Sequence, residues 1–577
     1  MKQDIFAGKM FRRLFVPSLC ASVGLAFSDM ADAIVVGWSM GETGLAAIGV
    51  TLPLFMVINL FMHGFGIGGS VRYAQLLGAG KREEAASSFI QVLQLALAVS
   101  CVLALTVNLF PDAALRLLGA GSAGEELYRQ TGAYVRLIAL GAPVFFLNYI
   151  LNYYLRADGQ QKRASAGFLT GTLTDIGLNL VLVLLLGMGT AGAALATVAG
   201  SAAAVIVYLP GLLGKRGSLC LRPARPAWGE ALSCLRTGLS SSVQYVYQMV
   251  FLLIATRTLL DCFGETGVAV FDMVQNASYL ILYLYDAAAK ALQPLAGTFH
   301  GEKNREAAAL SLRLGLGWGL GLGVLAAALV SLFPRWVCAA FGLTGAEALD
   351  MGALALRLYC LSSAFAGVGI LLEAYLQSVE RERDAFVLTT LRGCAVLLPV
   401  TLLLALAWPH GLWWTFPITE ALSLAAYFLW RRLSPRDGGA FPPERVLRRL
   451  IRSSTGELGD LSREAEAFCE RWEATPRQRY LVELTIEEIG VVIISKAFAA
   501  QPDGYIQLTL VACEGGGFQL HVRDNAAGFD PFSLVTEKVG EQNDFDMDAI
   551  GMLMVKKQAK SFFYRRYQGF NTLVVSI

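Results

Sequence analysis

Twelve apolar stretches, each long enough to cross a bilayer, leave this 577-residue chain few folds to choose from. They lie near 12–37, 45–72, 84–110, 127–154, 163–187, 190–213, 231–260, 266–292, 307–333, 350–378, 385–407 and 411–430. A hydrocarbon core about 30 Å thick needs about 20 apolar helical residues. Because lipid offers no hydrogen bonds, such segments must satisfy their own backbone, and runs of this length do so as helices. Beyond Arg431-Arg432 the sequence becomes charged and alternating, so a second, water-facing unit follows the membrane body. The expected fold class is therefore an α-helical membrane protein with twelve transmembrane helices in two six-helix bundles, followed by a C-terminal cytosolic α/β sandwich domain.

Lys and Arg concentrate in the loops that would face the cytoplasm. Lys2, Lys9, Arg12 and Arg13 precede the first stretch, and further cations stand at Lys81/Arg82, Arg156/Lys162/Arg163, Lys215/Arg216, Lys303/Arg305, Arg381/Arg383 and Arg431/Arg432. With an even number of crossings, both termini are expected to be cytoplasmic in a multi-pass protein of the cell membrane. The first stretch exceeds a signal-peptide core and contains Asp29 and Asp32, so no cleavage is expected. Ten scattered cysteines without a CxxC pair or a Cys/His cluster suggest neither a disulfide framework nor a metal site. The net charge of +2 points to no nucleic-acid partner.

The membrane part repeats. Gly78-Ala-Gly-Lys-Arg-Glu-Glu-Ala-Ala follows the second stretch and His300-Gly-Glu-Lys-Asn-Arg-Glu-Ala-Ala follows the eighth, with Gly80 and Gly301 separated by 221 residues. The same offset carries the first stretch onto the seventh. Two halves of this kind form a cleft that opens alternately to each side when they rock. The expected units are 1–213 and 230–432 for the bundles, 214–229 for their basic, Pro-containing linker, 433–443 for a second linker and 444–577 for the tail.

Asp32-Ala-Ile-Val-Val-Gly37, Leu45-Ala-Ala-Ile-Gly-Val, Pro53, the glycines at 64, 66, 68 and 69, Gly189-Thr-Ala-Gly-Ala-Ala-Leu-Ala-Thr197 and Gln293-Pro294 follow one another in a familiar order. Over residues 10 to 432 the chain resembles the MATE-type multidrug and toxin extruders. That resemblance implies Asp32 as the first-helix carboxylate and Thr197 as the sixth-helix hydroxyl of a cation-coupling site. Asp175 and Asn179, four apart on one helical face, fill the places of the family's Asn and Asp in reversed order. A carboxylate withdrawn from water holds its proton to higher pH, as proton exchange near neutrality requires. In the second half Glu373 is a further coupling candidate. Gln244, Tyr245, Gln275, Asn276, Asp286 and Lys290 are candidates for the substrate cavity, although Asp286 and Lys290 have the i,i+4 spacing of a mutually neutralising pair.

In the tail, alternation in Tyr505-Ile-Gln-Leu-Thr-Leu-Val and Phe518-Gln-Leu-His-Val-Arg gives strands, and the order strand, helix, helix, strand, strand, helix, strand, strand implies helices on one face of a mixed sheet. Glu487-Glu488-Ile-Gly-Val-Val, Asp524-Asn-Ala-Ala-Gly528 and Ile550-Gly551-Met-Leu-Met-Val resemble the Bergerat-fold ATPases of the anti-sigma-factor serine kinase type. The resemblance implies Glu487 or Glu488 as catalytic carboxylate, and Asp524, Gly528 and Gly551 as nucleotide contacts. Val492 stands where that family holds Mg²⁺ with an Asn, and a hydrocarbon offers no oxygen to a hard cation. Ala526 replaces the first Gly of the second block. The tail is thus expected to be degenerate: it senses ATP or ADP, or binds a cytosolic regulatory protein, without Mg²⁺-dependent phosphoryl transfer.

The resulting expectation is a transporter rather than an enzyme, an H⁺- or Na⁺-coupled antiporter exporting organic cations or amphipathic metabolites. The competing expectation is a membrane sensor that signals through its tail to a cytosolic protein. No Gly-x-x-x-x-Gly-Lys-Ser/Thr loop supports a pump driven by ATP.

Overall fold

The architecture is that of a computed structural model. It describes residues 5–78, 82–122, 124–158, 160–213, 242–434, 442–452, 454–498, 504–513, 515–526, 547–567 and 570–577, with 219, 229 and 231–235 as shorter pieces. Most of the 214–229 and 433–443 linkers, and Gly528, lie outside the described residues.

The first half runs α1 (Ile5–Gly78), α2 (Arg82–Leu109), α3 (Pro111–Leu118), α4 (Glu125–Ala157), α5 (Gln161–Asn179) and α6 (Gly189–Leu213). The second repeats that order as α7 (Gln244–Gly301), α8 (Arg305–Leu332), α9 (Pro334–Ala340), α10 (Ala346–Ser378), α11 (Glu382–Thr390) with α12 (Leu397–Ala407), and α13 (Thr415–Leu433). α1 and α7 each contain two spans folded back at a glycine, Gly41 (φ 60°) and Gly264 (φ 63°). These backbone angles cost glycine nothing and other residues a good deal. Nine of the described helices are long and apolar enough to cross a membrane; counting both arms of α1 and α7 makes eleven such spans, and α13 takes the place of the twelfth expected. The short helices α3 and α9 correspond as well, each opening with Pro after Phe, at Phe110-Pro111 and Phe333-Pro334. One π-helical turn follows α5 at Leu180–Leu185, and another joins α11 to α12 at Leu391–Ala395. Such turns often accompany functional positions in helices.

The tail is a five-stranded sheet of order β1-β2-β3-β5-β4, made of β1 (Val446–Arg452), β2 (Tyr505–Ala512), β3 (Phe518–Asp524), β4 (Ser561–Tyr567) and β5 (Phe570–Ser576). Every neighbouring pair is antiparallel, which corrects the mixed sheet expected from the order of elements. Two helices, α14 (Thr455–Arg471) and α15 (Pro476–Val492), separate β1 from β2, and the second reverses the direction that one crossover helix would preserve. The helix α16 (Met547–Gln558) does connect two parallel strands, β3 and β4, but β5 inserts between them. α15 starts at a capping box between Thr475 and Gln478. Leu461, Phe468, Leu481, Ile486, Ile489, Met552 and Val555 cover one face of the sheet, packing on Leu508, Leu510, Leu520, Val522 and Leu573.

The opposite face meets the membrane body. Arg523 of β3 pairs with Glu302 in the turn after α7, and both side chains are buried. The Arg523 guanidinium also lies over Phe299 at 5.0 Å. Arg448 of β1 reaches Glu306 at 3.2 Å. Phe570 of β5 meets Phe6 edge-on at 5.2 Å and receives Arg13 over its ring at 5.1 Å. The tail therefore docks on the first turns of α1 and on the α7–α8 turn, the second copy of the repeated loop motif.

Candidate functional site

Among the described residues, the polar groups of the first bundle gather around one cavity of about 440 Å³. Asp32 of α1, Asp175 of α5 and Thr197 of α6 line it, together with Asn59, Asn148, Tyr149 and Tyr283. α5 and α6 approach closely because Gly171 and Gly200 face each other; a Cβ on Gly200 would lie 2.7 Å from the Gly171 carbonyl and 2.8 Å from the Asp175 Cβ. Asn179, fully buried, donates its amide to both carboxylates, to Asp32 at 2.7 Å and to Asp175 at 3.2 Å. Its own Oδ1 is buried with no hydrogen-bond partner. Two carboxylates and a bare amide oxygen form an all-oxygen donor set, suited to a proton or a small hard cation as cargo. Thr197 turns its hydroxyl back onto the Ala193 carbonyl at 3.0 Å while lining the same space.

The second bundle is built differently. Arg392, in the π-helical turn, grips Glu420 with two bonds of 2.9 Å and stands 3.9 Å from Glu373. Gly369 makes room for it, since a Cβ there would sit 2.7 Å from Arg392 Nε. Glu373 also accepts from Gln377 at 3.3 Å. The sequence reading singled out Glu373 but missed Arg392, although a lone Arg in the apolar run 385–407 is a visible signal. It also missed Asp272, fully buried in α7, whose Oδ2 accepts from Asn276 at 3.2 Å while Oδ1 has no partner.

The remaining candidates lie apart from the Asp32 cavity. Asp286 and Lys290 form the i,i+4 pair foreseen, at 2.5 Å, and Ser22 donates to Asp286 at 3.3 Å. Tyr245 stacks on His63 across the two bundles, with ring centroids 5.1 Å apart, and His63 Nδ1 shares a 2.8 Å hydrogen bond with the Tyr153 hydroxyl. Gln244 begins α7 beside it, and the Gln275 carbonyl accepts from Ser278 at 2.6 Å.

In the tail, Asp524 is buried toward the helices and accepts from Asn571 at 2.8 Å and from the Ala526 N–H at 2.9 Å. Glu488 lies against Gly551, where a Cβ would come within 2.0 Å of its carboxyl carbon. Glu487 is exposed and accepts from Ser462 at 3.1 Å. Val492 belongs to the apolar core, fully buried.

The family model MatE matches twice, over residues 17–181 and 237–402, so the duplication read from one loop extends through both halves. The chain belongs to the MATE family. A second model, the histidine kinase-like ATPase domain, matches residues 451–577. The chain is thus a MATE transporter fused to a histidine-kinase-like domain. The multidrug export protein MepA of Staphylococcus aureus (strain MSSA476) is 25% identical over 443 residues, covering 74% of this chain and 94% of that protein. MepA of Staphylococcus saprophyticus is 23% identical over 438 residues with the same coverage. Among solved structures, the inward-facing conformation of a multidrug resistance MATE family transporter matches with a TM-score of 0.62 and 25% identity, covering 70% of this chain and 93% of that one. An outward-facing conformation matches with a TM-score of 0.54, also at 25% identity, over 74% and 95%. In a MATE protein these coverages leave the tail as an addition to a complete transporter body.

Proposed function

We propose that the protein is a secondary-active antiporter that exports organic cations or other amphipathic compounds in exchange for H⁺ or Na⁺. The observation that carries this reading is Asn179 bridging Asp32 and Asp175 at the wall of a cavity. Both carboxylates accept from the Asn179 amide there, and among the described residues that line the cavity none carries a positive side chain. Binding one cation relieves their repulsion, and releasing it restores the repulsion, which ties occupancy to conformation. Tyr149 and Tyr283 offer aromatic faces to a cationic guest. The tail side is cytoplasmic, as the Lys and Arg distribution implies. Efflux of a fluorescent organic cation from vesicles, driven by either ion gradient and lost in Asp32→Asn, tests the proposal.

The tail acts as a regulatory domain rather than a motor. Val492 buries a hydrocarbon in place of a Mg²⁺ ligand, while Asp524, Glu488 and Gly551 keep the polar outline of a nucleotide pocket. Arg523, which ties the sheet to the transporter body, is the neighbour of Asp524 on β3 and points to the opposite face. Occupancy beside Asp524 is therefore one residue away from the docking contact. The same contact suits the sensor reading, in which bundle movement is passed outward to a cytosolic protein. Nucleotide binding with and without Mg²⁺, together with efflux after removal of 433–577, separates the two. Efflux retained without the tail supports the exporter, and absence of transport with a tail response to Asp32→Asn supports the sensor.

A further inference from the structure

We propose that two copies of one tetrapeptide, Gly41-Glu42-Thr43-Gly44 and Gly264-Glu265-Thr266-Gly267, form a reciprocal latch that holds the two bundles together at the face remote from the tail. The segments are identical, 223 residues apart, and each begins at the positive-φ glycine where α1 or α7 folds back. Each threonine donates its hydroxyl across the bundle interface to the glutamate of the other copy. Thr43 reaches Glu265 at 3.2 Å, and Thr266 reaches Glu42 at 2.6 Å.

The glutamates meet the other half a second time. A Cβ at Gly345, the residue preceding α10, would stand 2.9 Å from a Glu42 carboxylate oxygen. A Cβ at Gly124, preceding α4, would stand 2.8 Å from the corresponding oxygen of Glu265. Each carboxylate thus sits at the amino end of a long helix of the opposite bundle, where exposed N–H groups favour negative charge. The glycines leave the space it occupies.

The surroundings share the division between halves. Trp38 donates its indole N–H to the Ala340 carbonyl at 2.7 Å, and Arg257 donates to the Leu117 carbonyl at 2.5 Å. Gly37 lies against the backbone of Phe341 and Gly342, so the bundles touch main chain to main chain. None of these bonds survives if the halves separate at this end. The exact repetition of Glu-Thr follows from the arrangement: across a pseudo-two-fold axis, one donor and one acceptor in each copy satisfy both copies. The latch determines how often the far face opens and hence positions the bundles for release of substrate on that side.

The inference rests on alternating access of the two bundles, the reading given above. Its test is read without substrate or ion gradient, so a failure of export and a failure of the latch are distinguishable. Hydrogen exchange is measured by mass spectrometry on the full chain in lipid nanodiscs, comparing wild type with Glu42→Ala/Glu265→Ala and Thr43→Val/Thr266→Val. The expected result is faster exchange in segments 36–50 and 259–273, on the order of tenfold for each clasp lost. Segments 60–75 and 244–250, near the His63–Tyr245 stack, should become slower as the opposite face closes. Single variants, keeping one clasp, should fall between. Unchanged exchange at the far face in both double variants overturns the proposal. Faster exchange at both faces together also overturns it, because that is the signature of general destabilisation.

Discussion

Replacing Arg523 tests how the tail is held on the transporter. In the docked state the Arg523 and Glu302 side chains are only 3% and 8% exposed, so each relies on the other for its charge. Removing one partner of such a buried pair costs about 3–5 kcal/mol, because the survivor remains buried and uncompensated. At about 1.4 kcal/mol per decade, Arg523→Met should lower the docking equilibrium by roughly 10²–10⁴. Phe6, Phe299 and Phe570 are at most 2% exposed and become wet on undocking. Hydroxyl-radical footprinting of these three rings in the full chain therefore reads the equilibrium. Arg523→Met and Glu302→Gln should each raise their oxidation. The combined variant should cost less than the sum of the two by about 1–3 kcal/mol, as for residues in contact. Protected rings in Arg523→Met, or strictly additive costs, would refute the view that this pair holds the tail.

Acid should loosen the same interface. Burial holds the His521 imidazole below its ordinary value, and Arg523 beside it acts in the same direction, while Glu302 opposes them. The docked, folded state thus resists protonation, so its stability is full above about pH 6.5 and declines as pH falls below that value. Footprinting across pH 5–8 should show it, and His521→Gln should flatten the profile. Arg392→Met should lower thermal stability by about 3–5 kcal/mol, since it strands Glu420 and Glu373, and Arg392→Met/Glu420→Gln should recover part of the loss in a detergent melting assay. The intact protein should release no phosphate from ATP with Mg²⁺ present; a phosphate-release assay giving sustained turnover would contradict the reading of Val492.

Much of the body was legible because lipid makes composition decisive. A run of apolar residues too long for a core helix has one use, and a carboxylate within it stands out, as Asp32 and Asp175 do. Asn179 was legible by its spacing from Asp175, yet its bridge to Asp32, 147 residues away, depends on how α1 and α5 pack. Arg392 finds its partner Glu420, 28 residues on, only through the packing of the second bundle. In the tail, strands were visible from alternation, but their pairing was not. Insertion of β5 between β3 and β4 is a long-range choice that no local pattern records, and it turned an expected mixed sheet into an antiparallel one. The docking face was hidden for a related reason. Arg448 and Arg523 look like ordinary solvent-facing charges until Glu306 and Glu302 are brought opposite them. The Glu-Thr repeat was readable in the sequence, but its meaning depends on the two copies meeting across the interface.

The central claim is that ion binding at Asp32, Asp175 and Asn179 drives export. The most direct measurement is efflux of an organic cation from proteoliposomes under an imposed H⁺ or Na⁺ gradient, comparing wild type with Asp32→Asn. Gradient-dependent efflux in the wild type, abolished in Asp32→Asn while the variant still binds the organic cation, is the predicted result. Equal gradient-driven efflux by both proteins, or none by the wild type under either ion, would contradict it.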